Sequence, residues 1–488
     1  MKTTKKTIIL FALVAIFTTS CSEDFLRPPM PDILEEEQSL RTAQDIQNAV
    51  VGIYASLSNL NFLGRNGLSI ADVMGDLAGF YGGNNNGFIN NFERYTFQLG
   101  MGDLAGLWSV PYTTIDRAAR AIRAGRRILD EGGLTAREQG IINLSLGQAY
   151  GLKAFTHFFL VNYFALPYTY QPNSPGIILV DEEPLTVLSE IHRATVAETY
   201  ALILRDIATA KKHFEASTGA VFPANQKFFM NHAAIYALEA RVHLFMENWS
   251  GALAAAQTAL NISGATVVSN ENYITMWYIN TTNTVEDIFT LNFTSGTIGN
   301  VNATMGMLWG NFGAAMYVNA IERLFEPTDI RLGLFEDKAT PVPNIAKRMR
   351  KYPNANSVNN TPIFRASEMY LIIAEAQAQM GTDIAAAQNA LFNVAQRDTA
   401  ITEASQLPDN PTDLLAFIAD ERGRELTGEG HRWLDLRRRG DLMTRPVGLG
   451  TFTDLPVWRT VIPIPQAEIN ASGIEQNPSW AWIDAYRN

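Results

Sequence analysis

The sequence predicts a predominantly α-helical protein with a loop-rich half. Three observations predict it. Apolar residues recur at helical spacing in nine separate segments. A heptapeptide recurs, AAAQTAL at 254–260 and AAAQNAL at 385–391, each time after an Ala-rich helix and a short turn. Two long segments rich in Gly, Asn and aromatics interrupt the helical pattern, at about 61–112 and 263–362.

The N-terminus, MKTTKKTIILFALVAIFTTSC, is an export signal. Lys2, Lys5 and Lys6 precede a ten-residue apolar run, Ile8 to Phe17, which is too short to span a bilayer. Small residues then lead to Cys21, the only cysteine among 488 residues. A lone Cys at this boundary is where a thioether lipid anchor would go, so 1–20 reads as a lipoprotein signal peptide and Cys21 as the lipid attachment site. Residues 21–40, with three prolines and an acidic run, read as a lipidated tether. Removing the leader takes the formal charge from −11 to −14 and leaves no free thiol. One cysteine excludes an internal disulfide framework and a Cys-based zinc site. The acidic balance is wrong for general nucleic-acid binding.

From residue 41 to 488 a single domain is expected. Thr42 caps a helix to Leu60 with Asp45 in its first turn. Thr113–Asp130 closes on Gly132-Gly133, and Ile141–Phe164 ends before Pro167. Thr195–Phe214 follows. Asn231–Glu247 with Gly251–Leu260, and Phe364–Met380 with Ile384–Val394, form two helix pairs, and Thr412–Leu426 is a further helix. Alanines at i, i+3 and i+4 let paired helices approach closely, the logic of tetratricopeptide units of about 34 residues. Between them, Asp287–Phe293 is strand-like.

Catalytic signatures are missing. The chain has no H-E-x-x-H, P-loop, G-x-S-x-G or G-x-G-x-x-G, and its six histidines lack metal-ligand spacing. Asp72 and Asp76, one helical turn apart, could imitate the roughly 5 Å carboxylate pair of a retaining glycosidase, but capping or hydrogen bonding to ligand hydroxyls is the reading preferred. The stretch Glu421–Arg445 is basic at its end, and its charges are expected to pair internally.

That stretch, ERGRELTGEGHRWLDLRRRGD, resembles the C-terminal motif of the SusD/RagB family. FRASEMYLIIAEA (364–376), VIPIPQAEINASGIEQNPSW (461–480) and GLKAFTHFFLVNYFALPY (151–168) resemble three more family segments in the right order, with Trp480 where Tyr is commoner and Ala165 where Gly is usual. The resemblance implies a fold of tetratricopeptide-like helix pairs forming a superhelical frame, with a loop-rich half containing a few short strands. It implies a lipid-anchored outer-membrane protein at the cell surface that captures glycans and delivers them to a SusC-like TonB-dependent transporter. It implies no catalysis. Peptide or other nutrient capture of the RagB kind is the alternative, followed by a helical glycoside hydrolase and a purely protein-binding scaffold. No cofactor is expected. A structural Ca2+ is compatible with an Asp/Asn-rich loop, but no EF-hand-like spacing indicates one. Trp108, Tyr112 and the Glu421–Arg438 cluster are expected to pack and pair rather than bind ligand. Ligand contacts are expected from the first loop region (Asp72, Asp76, Tyr81, Asn84, Asn85, Arg94) and the second (Trp277, Tyr278, Trp309, Asn311, Tyr317), because flat aromatic faces meet sugar C–H groups and amides or carboxylates meet hydroxyls.

Overall fold

The helix caps form where threonine precedes an apolar repeat. The computed structural model describes residues 39–80, 89–186, 189–222, 224–278, 284–294, 304–310, 312–337, 346–353 and 359–477. The leader, Cys21 and most of the tether lie outside the described residues. The chain divides at Thr42, and Thr42–Asn488 forms one compact unit. In that unit Thr42 opens α1 (Ala43–Leu57). Its hydroxyl accepts from the Asp45 N–H, and the Asp45 carboxylate accepts from the Thr42 N–H.

Two short helices, α2 (Asn66–Val73) and α3 (Asn90–Arg94), fall in the first segment read as loop. The next helix, α4 (Gly102–Glu131), starts at Gly102 rather than Thr113 and carries Pro111 inside it. An interior proline costs about 3 kcal/mol. It is tolerated here because the buried face runs straight through it, from Leu104, Leu107 and Trp108 to Ile115 and Ala118. Reciprocal Thr–Glu caps open α5 (Ala136–Phe164) at Thr135 and α6 (Val196–Ala216) at Thr195.

Helices α7 (His232–Phe245) and α8 (Trp249–Ser263) form the first Ala-rich pair. Helices α9 (Asn270–Tyr278), α10 (Met305–Gly310) and α11 (Val318–Leu324) lie in the second loop region. The second Ala-rich pair is α12 (Ala366–Met380) and α13 (Ile384–Ala395). The chain continues through α14 (Pro411–Leu426), α15 (Arg432–Arg439) and α16 (Gln466–Ser472).

The frame packs in sequence order, α4 on α5, α5 on α6, α7 on α8, and α12 on α13, with α8 also against α12. Every fully buried position of α8 is alanine (Ala252, Ala255, Ala256, Ala259), which is why it fits between two neighbours. On α5, a Cβ at Gly151 would sit 2.2 Å from Ile235 Cδ1, so any larger residue there would push the Ile235 side chain of α7 aside.

Ten short strands are described. Four make an antiparallel sheet in the order β1 (Ala78–Phe80), β5 (Ala314–Tyr317), β7 (Ala346–Met349), β6 (Phe335–Asp337). Three two-stranded pairs join β2 (Pro175–Ile178) to β3 (Arg193–Thr195), β4 (Asp287–Leu291) to β8 (Thr361–Arg365), and β9 (Leu442–Arg445) to β10 (Phe452–Pro456). The architecture is therefore mostly helical with few short strands. The two segments read as loops carry five of the short helices and all four strands of the main sheet.

Candidate ligand-binding surface

The charged motif residues turn inward. At the end of β8, Arg365 is 2% exposed. Its guanidinium donates to Glu286 (2.7 Å), Glu425 (2.8 Å) and Glu429 (2.7 Å). Arg331 reaches Asp329, Glu421 and Glu425, Arg397 reaches Glu286, and Lys351 reaches Glu429 at 2.6 Å. Burial pushes the Glu425 carboxyl upward, but Arg365, Arg397 and Arg331 outweigh it and hold it at about 2. Glu421 and Glu429 are lowered by the same balance. A second cluster joins Arg438 to Glu375 and Asp435, and Arg422 to Asp435. Arg437 donates to the backbone carbonyls of Asn162 and Ala165, which end α5. The expected internal pairing of Glu421–Arg445 holds for Arg424 with Glu421, for Asp435 with Arg422 and Arg438, and for Arg439 with Asp441. Most partners come from other parts of the chain.

The remaining family-like segments are structural as well. Trp108 donates to Glu468 and packs edge-on against Phe164, and the Tyr112 hydroxyl donates to the Ile178 carbonyl. The Asn477 amide donates to the carbonyls of Phe164 and Ile462, both at 2.8 Å. It thereby ties the closing segment to the end of α5.

Five of the eleven expected ligand contacts are buried. Asp76 pairs with Arg432 at 2.6 Å and with Arg323 at 2.8 Å. Burial raises its carboxyl, but the two arginines win and hold it below the usual carboxylate range. Asp72 accepts from the Gly430 N–H at 3.0 Å. Burial lifts Asp72 to about 7, against the lowering effect of that bond. The two side chains face different partners, so they form neither a catalytic pair nor a ligand-facing one. Trp277 is 5% exposed, with Lys351 Nζ 4.7 Å and Arg365 Cζ 5.6 Å from its ring centroid, so it floors the ion network. Trp309 is fully buried. Tyr317 is fully buried, and its hydroxyl donates to Glu93.

Arg94 and Tyr278 remain at the surface. Tyr278 is 39% exposed, with the Arg350 guanidinium 5.5 Å from its ring centroid and Arg350 paired to Glu336. Tyr81, Asn84, Asn85 and Asn311 lie outside the described residues.

Sequence reasoning missed the group that positions Arg94. Its neighbour Glu93 is fully buried in α3, and its carboxylate accepts from Tyr317, from the Phe80 N–H (2.8 Å) and from the Leu449 N–H (2.9 Å). Arg445 donates to the backbone carbonyls of Glu93, Gly450, Val73 and Gly75. Two glycines make room. A Cβ at Gly79 would meet the Tyr317 hydroxyl at 1.7 Å, and Gly448, at φ +104°, would meet it at 2.1 Å. The adjoining glycines at 79 and 448 were the only available signal. Among the described residues no group of three or more His, Cys, Asp or Glu is placed to hold a metal ion. Among them, too, no helix is long and apolar enough to cross a membrane.

This mostly helical fold with few short strands is shared by solved structures of SusD superfamily proteins. One solved structure, a SusD superfamily protein from Bacteroides thetaiotaomicron, superposes with TM-score 0.78 at 23% identity, covering 90% of this chain and 100% of that one. Surface glycan-binding protein A from Bacteroides fluxus superposes with TM-score 0.68 at 21% identity, covering 90% and 99%. SusD-like protein P2 of Formosa agariphila is 24% identical over 531 residues, covering 98% of this chain and all of that one. Residues 342–480 match the SusD family model, and 29–244 match a model described as starch-binding associating with outer membrane. The chain is SusD-like: the two family matches together span most of it, and the curated relative matches it over nearly its whole length.

The ion network carries a stability prediction. Arg365→Met leaves three buried carboxylates short of their shared partner and should cost about 3–5 kcal/mol, read as a lowered urea midpoint. An unchanged midpoint would show that the pairs contribute nothing net. Asp72 carries a pH prediction. A carboxyl raised on folding loses stability as pH climbs from its unfolded value near 4 to its folded value near 7. Asp72→Asn keeps an acceptor for Gly430 and removes that loss. Its stability relative to wild type should rise across that window and level off above it, as followed by denaturation at a series of pH values. A flat difference would count against a raised Asp72.

Proposed function

We propose that the protein captures glycans, oligo- or polysaccharide, at the cell surface and delivers them to a partner SusC-like TonB-dependent outer-membrane transporter. The observation that carries this reading is the match of 29–244 to a family described as starch-binding associating with outer membrane. That span contains the first loop region and Arg94. Two things support a binding role over a catalytic one. Three carboxylates within the first loop region, Asp72, Asp76 and Glu93, are each buried and committed to other protein groups. The exposed Tyr278 ring, flanked by Arg350, offers the kind of aromatic face on which a sugar stacks. In this reading Arg94, Tyr278, Tyr81, Asn84, Asn85 and Asn311 supply ligand contacts. Asp72, Asp76, Trp277, Trp309 and Tyr317 hold the loops that carry them.

The leader and Cys21 support anchoring by lipid at the outer membrane, with 21–40 as the tether and 41–488 as the binding domain. Several acyl chains at about 0.8 kcal/mol per buried CH2 are enough to hold it there.

Affinity gels and calorimetry over a polysaccharide panel test the binding role. Saturable binding without product release is expected, and Tyr278→Ala should weaken it roughly tenfold, about 1.4 kcal/mol. Released oligosaccharide would make the protein an enzyme, and binding to peptides alone would make it a peptide-capture protein. For the anchor, Cys21→Ala should move the protein out of the outer-membrane fraction. Retention there would remove the lipid from the account.

A further inference from the structure

A cavity lies where the helical frame meets the start of the second loop region, and none of the expected ligand contacts lines it. It occupies about 430 Å3 where the ends of α6 and α8 meet the starts of α7 and β4. Its mouth is apolar and exposed, with Val221 79% and Ile262 45% accessible. Phe222 borders it as an aromatic plate, stacked on Phe229 at 5.4 Å and 22°.

The interior is polar. The His232 ring stacks on Phe214 at 5.7 Å, and its Nε2 is buried without a hydrogen-bond partner among the described residues. Burial lowers this imidazole, so it is neutral at pH 7. Asp287 is 7% exposed, and its carboxylate accepts from the Thr284 N–H. Lys227 donates to the Thr284 carbonyl at 3.0 Å and lines the same space.

A purely apolar occupant would leave the buried His232 nitrogen without a partner. A simple anion would meet Asp287, and a simple cation would meet Lys227. A pyranose ring presents C–H faces to an apolar rim and hydroxyls that both donate and accept, and a cavity of this size suits a small ligand. We infer that this cavity is a second sugar-binding site, taking a single neutral sugar unit between the Phe222 plate and the polar floor of His232, Asp287 and Lys227. It does not depend on the loop-region assignment.

Saturation-transfer NMR on the full chain tests it, with the methyl glycosides of glucose, galactose, mannose and xylose as probes. Transfer to the ring C–H protons of at least one probe is expected. It should fall at least fivefold in Ile262→Arg and in His232→Phe, which keeps the stacking and removes the nitrogens, and should persist in Tyr278→Ala. Val221→Arg, at a position already open to solvent, supplies the same block should either variant fail to fold. No transfer from any of the four probes, or transfer indifferent to the pocket variants, overturns the site. Transfer lost only in Tyr278→Ala overturns it too, while leaving glycan capture at the loop half intact.

Discussion

Three carboxylates from two distant stretches of chain converge on one guanidinium. Glu286 enters β4, Glu425 and Glu429 end α14, and Arg365 closes β8 between them. Bringing four charges out of water is costly, and their mutual attraction repays it only when every lone pair and N–H is used. Arg331, Arg397 and Lys351 extend the same logic, so the acids outnumber the bases only slightly and few atoms are left over. The strength of such a cluster is its directionality. Apolar packing would accept a shifted helix, whereas a forked guanidinium accepts one arrangement. The second helix pair, the β4–β8 ladder and α14 are fixed relative to one another through this point.

The same arrangement separates what was legible in the sequence from what was not. Caps are local, so Thr42 and Thr195 stand at the starts of their helices as expected, whereas the Thr135 cap lies six residues ahead of the expected start at Ile141. Alanine spacing announces the close helix pairs for the same reason. Pro111 misleads because its local penalty is offset by burial against elements far along the chain. Charge pairing misleads further. The glutamates and arginines of 421–438 alternate as if to satisfy one another, yet Arg432 takes Asp76 from 356 positions earlier. Opposite charges close in sequence say that pairing is available. They do not say with whom.

The surface residues show the limit most plainly. Trp309 and Trp277 sit among glycines, asparagines and other aromatics, a setting that reads as an open platform, and both are interior. Flanking composition reports the loop character of a segment, not the direction of one side chain. Tyr278, next to Trp277 on the same helix, points outward because it is one residue further round the turn. Glu93 was invisible for a related reason. A buried glutamate whose partners are two backbone N–H groups and a tyrosine hydroxyl leaves no pattern in the sequence beyond the two glycines that make room for it.

Glu93 also sets the terms on which the neighbouring segment can evolve. Its carboxylate grips Phe80 at one end of residues 81–88, and α3, which carries it, begins at the other. Both ends of that segment are therefore clamped to the same buried acid. Gly79, Glu93, Tyr317 and Gly448 thus act as one socket, so a change to any of them is transmitted both to the end of β1 and to the start of α3.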